Sequence, residues 1–231
     1  MAWITSVATL ITVAIVLYLI VRAALKGQVV GNPTVVEIVG ALRDGREPMT
    51  FSGEIPLSDN EKQGLVFSYA GWFSVDDWFY RQGEQRCLFS KGTADLKVQC
   101  PGVCLDGTSN TLLVIMDTYD QTETIQIPNL PAQKFIHLAI VVDQISVEIY
   151  IDGILRIHHS LRQLPRQNRG GVHISQQGGW AGEIGSLTYH RYALTPAEIN
   201  GLMATPPYED PNKKKKPLPP YLDTTWYVGR F

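Results

Sequence analysis

Asp117, Asp120 and Glu123 stand three residues apart. Paired carboxylates are the chemistry of glycoside hydrolysis, one as acid and one as nucleophile or base, and both must reach the same bond. Strand residues three apart point to opposite faces. The trio therefore reads as hairpin-loop residues, and no catalytic residue is assigned. Asp76, Asp77, Asp95 and Asp106, with Asp117 and Asp120, could offer oxygens to calcium, which takes about six to eight of them. Each sits at a turn signal, where Asp is common because its carboxylate bonds the nearby backbone. Calcium is thus conceivable but not favoured, and no metal or cofactor is expected. His158 and His159 are strand neighbours pointing apart, and Cys100-x-x-x-Cys104 lacks a second pair, so zinc is not assigned either. Trp78, Tyr80, Tyr119 and Trp180 lie at strand ends or loops, where an exposed ring could stack on a sugar. These four are the candidate ligand-binding residues.

The cysteines number three, Cys87, Cys100 and Cys104. An odd count in a chain of 231 residues is not a disulfide framework. Reduced thiols are the favoured expectation; a single bridge, most simply Cys100 to Cys104, is the alternative. Asn32-Pro33-Thr34 fails as a glycosylation site because proline stands in the middle. The net charge of -2 carries no nucleic-acid footprint.

These side chains must be positioned by elements of two kinds. Residues 2–21 hold no ionisable group except Tyr18. As a helix they span roughly 30 Å, the thickness of a bilayer core. Trp3 and Tyr18 suit the two membrane interfaces, and Arg22 and Lys26 flank the second. The expectation is an uncleaved transmembrane helix over 2–25, because no basic residue precedes the apolar run. The flanking charges place the N-terminus outside or lumenal and the large domain in the cytosol.

Residues 26–54 read as a stalk or linker, whose one apolar run, Val35-Val36-Glu37-Ile38-Val39, is open as a strand or an ordered stalk. Strand signals then follow in series. Leu65, Phe67, Tyr69, Phe73 and Val75 share one face of an alternating run. Further strands are expected at Cys87–Ser90, Leu112–Asp117, Glu123–Ile127, Phe135–Asp143, Ile145–Ile151, Ile154–His158, Val172–Ser175 and Glu183–Tyr192. Asp152-Gly153 is a tight hairpin turn, since both of its central positions need positive φ. Thr195-Pro196-Ala197-Glu198 opens one short helix, with Thr as N-cap, Pro at the first position and Glu at the third. The class is therefore all-β: an antiparallel two-sheet sandwich with one short C-terminal helix, preceded by one transmembrane helix. The arm over 208–231 is rich in proline and cannot continue helix or sheet. Its Lys213, Lys214, Lys215 and Lys216 could meet anionic lipid. Tyr221, Trp226 and Tyr227 favour docking on a neighbouring protein.

Separated stretches resemble the laminin G-like domains of the concanavalin A-like lectin/glucanase superfamily. They are Tyr150–Leu155 (YIDGIL), Gly179–Leu202, Phe67-Ser68-Tyr69 through Trp72-Phe73, Asp77-Trp78 and Leu88–Gly92. The resemblance covers about residues 55–207 and implies a jelly roll. Cys100–Asp106 (CPGVCLD), followed by Asn110-Thr111-Leu112, is similar to a turn in a single-span subgroup of large icosahedral DNA viruses. Members of that subgroup carry a Pro-Pro-Tyr-Leu-Asp…Trp tail. Cys104 departs from it, standing where an aromatic is expected. The superfamily's glucanases use an E-x-D-x-x-E strand, which is absent here. The resemblance implies a non-enzymatic, membrane-anchored structural protein, a minor capsid component linking an internal virion membrane to the capsid shell. Its partners would be the bilayer through 2–25, and capsid or membrane-associated proteins through the sandwich and arm. The alternative is a membrane-tethered lectin-like module that binds glycans.

Overall fold

The computed structural model describes residues 34–58 and 65–207. The expected transmembrane helix and C-terminal arm lie outside the described residues, and with them Trp3, Tyr18, Arg22, Lys26, the four lysines, Tyr221, Trp226 and Tyr227. Among the described residues no helix is long and apolar enough to cross a membrane.

The strands are β1 (Val35–Val39), β2 (Arg43–Asp44), β3 (Met49–Phe51), β4 (Val66–Asp77), β5 (Arg86–Gly92), β6 (Gln99–Leu105) and β7 (Leu112–Asp117). They continue as β8 (Thr122–Ile127), β9 (Phe135–Asp143), β10 (Ser146–Ile151), β11 (Ile154–Ser160), β12 (Gly171–Ile174) and β13 (Ala181–His190), and one helix follows, α1 (Pro196–Met203). One sheet runs β1-β13-β4-β9-β10-β11, with β2 also on β13; the other runs β3-β12-β5-β6-β7-β8. All pairings are antiparallel. This is the expected jelly-roll sandwich. The stretch expected as a stalk departs from expectation: β1, β2 and β3 belong to the sheets. Val36, Ile38 and Val39 of β1 are buried in the core.

The core lies between the two sheets. Phe67, Tyr69, Phe73 and Val75 of β4 point into it, as their period of two requires. Beside them in the same sheet, β9 sends in Ile136, Leu138, Ile140 and Val142. The other face of β9 is buried as well. Ala139 and Val141 join Ala70, Tyr150, Leu194 and Ile199 in a second cluster beneath α1. A strand covered on both faces reads as one continuous apolar run, which is how β9 appears in the sequence. The helix begins where expected, with Thr195 and Glu198 forming a reciprocal capping box. The Ser68 hydroxyl anchors the approach to it, donating to the Tyr192 carbonyl and accepting from the Leu194 N–H. Asp152 (φ 50°) and Gly153 (φ 74°) form the expected hairpin turn.

The sequence signals missed β6. Proline and glycine in Cys100-Pro101-Gly102 signal a turn, yet β6 is an inner strand between β5 and β7. The register explains the exception. Pairing to β7 begins at Gly102, and pairing to β5 shifts between Ser90 and Gly92, so Pro101 sits where the ladder is interrupted. A proline without an N–H is tolerated there.

The same register corrects the cysteine expectations. Cys87 and Cys104 face each other across β5 and β6 and form a disulfide. Cys100 is free and buried. A Cys100–Cys104 bridge is excluded, since residues four apart in one strand stand about 13 Å apart and a disulfide needs Cα atoms within about 7 Å. The bonded pair lies with Ile115 and Leu96 in a cluster separate from the main core. Burial pushes the Cys100 thiol up to about 12, so it is inert as a nucleophile. Thiol titration of the unreduced, denatured chain should find one free thiol, and three after reduction. Cys87→Ser should lower the unfolding free energy by about 3 kcal/mol, the value for a loop of this length. A denaturant titration unchanged by the substitution would count against the bond.

Candidate functional site

At one end of the sandwich, the loop leaving β4 meets the loop leaving β6. Two close approaches build the junction. The Gly83 N–H donates to the Gly107 carbonyl at 2.8 Å. A Cβ on Gly107 would stand 2.9 Å from the Gly83 carbonyl carbon, so a side chain there would force the loops apart. Arg86 supplies the second tie. Its guanidinium donates to the carbonyls of Trp78 (2.8 Å), Tyr80 (2.9 Å) and Asp106 (2.7 Å). The guanidinium carbon lies 5.7 Å from the Trp78 ring centroid. Arg86 is only 2% exposed. Burial pulls its pKa down from the ordinary value, with Asp106 and Asp77 acting the other way; an arginine remains charged in any case.

Each loop is also braced from within. The Asp77 carboxylate accepts the Phe79 N–H at 2.8 Å. Asp106 Oδ2 accepts the N–H and hydroxyl of both Thr108 and Ser109. These bonds, Ser109 first, hold the Asp106 carboxyl down at about 2. Asn110 ties the loop to Leu130, donating from its amide and accepting at its carbonyl.

Between the loops lies a recess of about 170 Å³, lined by Trp78, Phe79, Gln82, Arg86 and residues 107–110. Phe79 is 77% exposed at its edge. Aromatic, hydroxyl and amide groups thus converge on one concave surface, the usual composition of a small ligand site. Drug-sized ligands occupy about 300 Å³ or more, so this recess suits the end of a ligand.

The four candidate aromatics part company. Trp78 lines the recess. Tyr80 lies beside it, its hydroxyl donating to the Gly178 carbonyl at 3.2 Å and its ring facing Arg46 at 5.3 Å. Tyr119 is 72% exposed, but on the β7–β8 turn at the other end of β7. Trp180 is 0% exposed, its indole N–H donating to the Ser74 carbonyl at 2.8 Å. It is a core residue with no surface to offer, which corrects its place among the candidates. Phe79, Arg86, Thr108, Ser109 and Asn110 were missed. The run Trp78-Phe79-Tyr80 was the available signal for the first; Arg86 looks in sequence like an ordinary strand start.

The acidic candidates are scattered. Asp117 accepts the Thr122 hydroxyl across its hairpin. Glu123 accepts from the Arg162 N–H and lies 3.1 Å from His159 Nε2. His158 faces Glu148 instead. Asp95 pairs with Lys97. Among the described residues no three His, Cys, Asp or Glu side chains are grouped as a metal site.

With this geometry in view, comparison places the chain among known proteins. The model of the concanavalin A-like lectin/glucanases superfamily matches residues 51–200. The chain belongs to this superfamily. Its fold is similar to the receptor-binding domain of botulinum neurotoxin D, with TM-score 0.55 and 10% identity over 74% of this chain and 43% of the other. It is also similar to a botulinum neurotoxin type C structure, with TM-score 0.52 and 14% identity over 74% of this chain and 46% of the other. That neurotoxin's entrance into cells depends on interaction with two ganglioside molecules. The superfamily member described here spans less than half of either chain, and identities this low establish the fold alone. No curated protein matches it in sequence.

Two consequences are measurable. Trp180→Ala should destabilise the fold by about 3–5 kcal/mol, whereas Phe79→Ala should leave the denaturation midpoint within about 0.5 kcal/mol of the parent. The Asp106 pKa is lower in the fold than in the unfolded chain. Its contribution to stability is therefore complete above the ordinary carboxylate range and lost as pH falls toward about 2. The loss is small, because the group is largely solvated. Asp106→Asn should flatten part of the stability decline between pH 4 and pH 2, read by denaturant titration at each pH.

Proposed function

We propose that the chain is a non-enzymatic, membrane-tethered lectin-like module whose recess takes the terminal sugar of a glycan. The observation that carries this is the concave junction itself: an exposed phenyl ring at Phe79, the half-buried Trp78, and the Thr108, Ser109 and Asn110 side chains around one opening. Apolar ring faces with adjacent hydroxyl and amide groups match a pyranose, which has one apolar face and a polar edge. The likeness to a neurotoxin whose cell entry depends on interaction with two ganglioside molecules supports it. Hydrolysis would need two carboxylates about 5–9.5 Å apart across the bond. None of the recess-lining side chains is a carboxylate, which supports binding without catalysis.

The Cys87–Cys104 bond adds a location. Disulfides persist in oxidising compartments or on virion and cell surfaces. This favours a lumenal or external sandwich, opposite to the side implied by Arg22 and Lys26. The structural role between an internal virion membrane and a capsid shell rests on residues 2–25 and 208–231, outside the described residues, so the glycan role is preferred.

The test is a glycan array probed with the full chain in detergent, with and without calcium. Binding should appear for a restricted set of glycans. Phe79→Ala should weaken it about tenfold or more, and Tyr119→Ala should leave it unchanged. A folded, disulfide-bonded chain that binds nothing on the array would overturn the proposal.

A further inference from the structure

Building on that lectin reading, we infer that the recess selects a sugar bearing a negatively charged substituent, a carboxylate or a sulfate ester, over its neutral counterpart. The first ground is the charge on Arg86. Three arginines gather at this end of the sandwich. Arg46 lies 3.5 Å from Asp44, and Arg81 is bonded to Glu84. Arg86 is the most buried of them and has no ion pair among the described residues; its partners are three neutral carbonyls. A buried charge without a counter-charge is costly. The nearest acids, Asp106 and Asp77, favour its charge, but neither pairs with it directly: Asp77 Oδ1 accepts from Phe79 and Asp106 Oδ2 from Thr108 and Ser109.

The second ground is a pair of donors. Arg86 Nε and Trp78 Nε1 are both buried and both lack a hydrogen-bond partner among the described residues. Both side chains line the recess. Each of these nitrogens can only donate, so the floor of the recess calls for acceptor oxygens. Buried polar groups without partners are uncommon enough to need a reason. Carboxylate and sulfate oxygens answer both needs at once: they accept without donating, and hydrogen bonds to an ionised group are about twice as strong as neutral ones. A sugar hydroxyl would satisfy a donor but leave Arg86 without a direct ion pair.

Rim and floor then have different tasks. Phe79, Thr108 and Ser109 are exposed and close to the opening. Trp78 and Arg86 line the same recess, and their free donors are covered in the unliganded protein. A ligand reaches them as the exposed Phe79 ring turns aside, which breaks no core contact, because Phe79 belongs to no core cluster.

Binding of the full chain in detergent should be measured with paired probes. Sialyl-, glucuronyl- and sulfo-galactosyl-terminated oligosaccharides are each set against the same structure with the charge removed. The charged member should bind about tenfold tighter or more, with the gap narrowing as salt is raised. Arg86 ties two loops, and its substitution risks the fold. Trp78→Phe is therefore the informative variant: it keeps an aromatic ring beside Arg86 while removing the indole donor, and it should weaken charged probes about fivefold more than neutral ones. A preference for carboxylates alone or for sulfates alone would identify the source of the charge. Equal binding of charged and neutral partners, lost together in Phe79→Ala, would overturn this inference and leave the lectin role standing. Silence toward every probe would remove both.

Discussion

Strand side chains alternate, so a slip of one residue in the pairing of β5 with β6 would turn every group on β6 to the other face. The observed register puts Cys87 opposite Cys104, and a disulfide can form only there. It puts Arg86 opposite Leu105, at the strand ends, where the guanidinium can reach the Asp106 carbonyl. It sends Cys100, Val103 and Leu105 into the core. Bridge, loop junction and inner packing are three results of one alignment.

The junction at the end of those strands shows how a rigid sheet can hold a shaped surface on loops. Two glycines allow the backbones to touch, a buried guanidinium ties three carbonyls, and an aspartate gathers the N–H groups of the facing turn. The opposite end of the hairpin has an exposed ring of its own, Tyr119, on a β7–β8 turn held by the Thr118 hydroxyl, which accepts the Asp120 and Gln121 N–H groups and donates to the Gln121 carbonyl. What separates Phe79 from Tyr119 is the charge beside it: the Phe79 recess includes the Arg86 guanidinium, whereas the side chains that line the opening with Tyr119 are neutral.

Most strands were legible because burial imposes a period that residues either obey or break. Phe67, Tyr69, Phe73 and Val75 obey it. So does the capping box at Thr195, whose chemistry is complete within four residues. β2 and β3 were obscured by length: they have two residues and three, too few to show a period. β6 was obscured by composition, since its Pro101 is tolerated only because neighbouring strands interrupt their ladders at that point. The site was the least legible part. Trp78 and Trp180 are the same residue type at similar strand boundaries, yet one lines a recess and the other is enclosed by the core.

The sequence by itself determined the all-β class, most of the strands, the Asp152-Gly153 turn and the C-terminal helix. Each depends on local pattern, on φ preference or on a cap whose partners lie a few residues apart. The tertiary structure alone decided which cysteines are bonded, which aromatic is buried and which arginine is tied to carbonyls instead of a carboxylate. Those outcomes depend on groups far apart in the chain, brought together by strand register, and no local pattern records where a distant strand will lie.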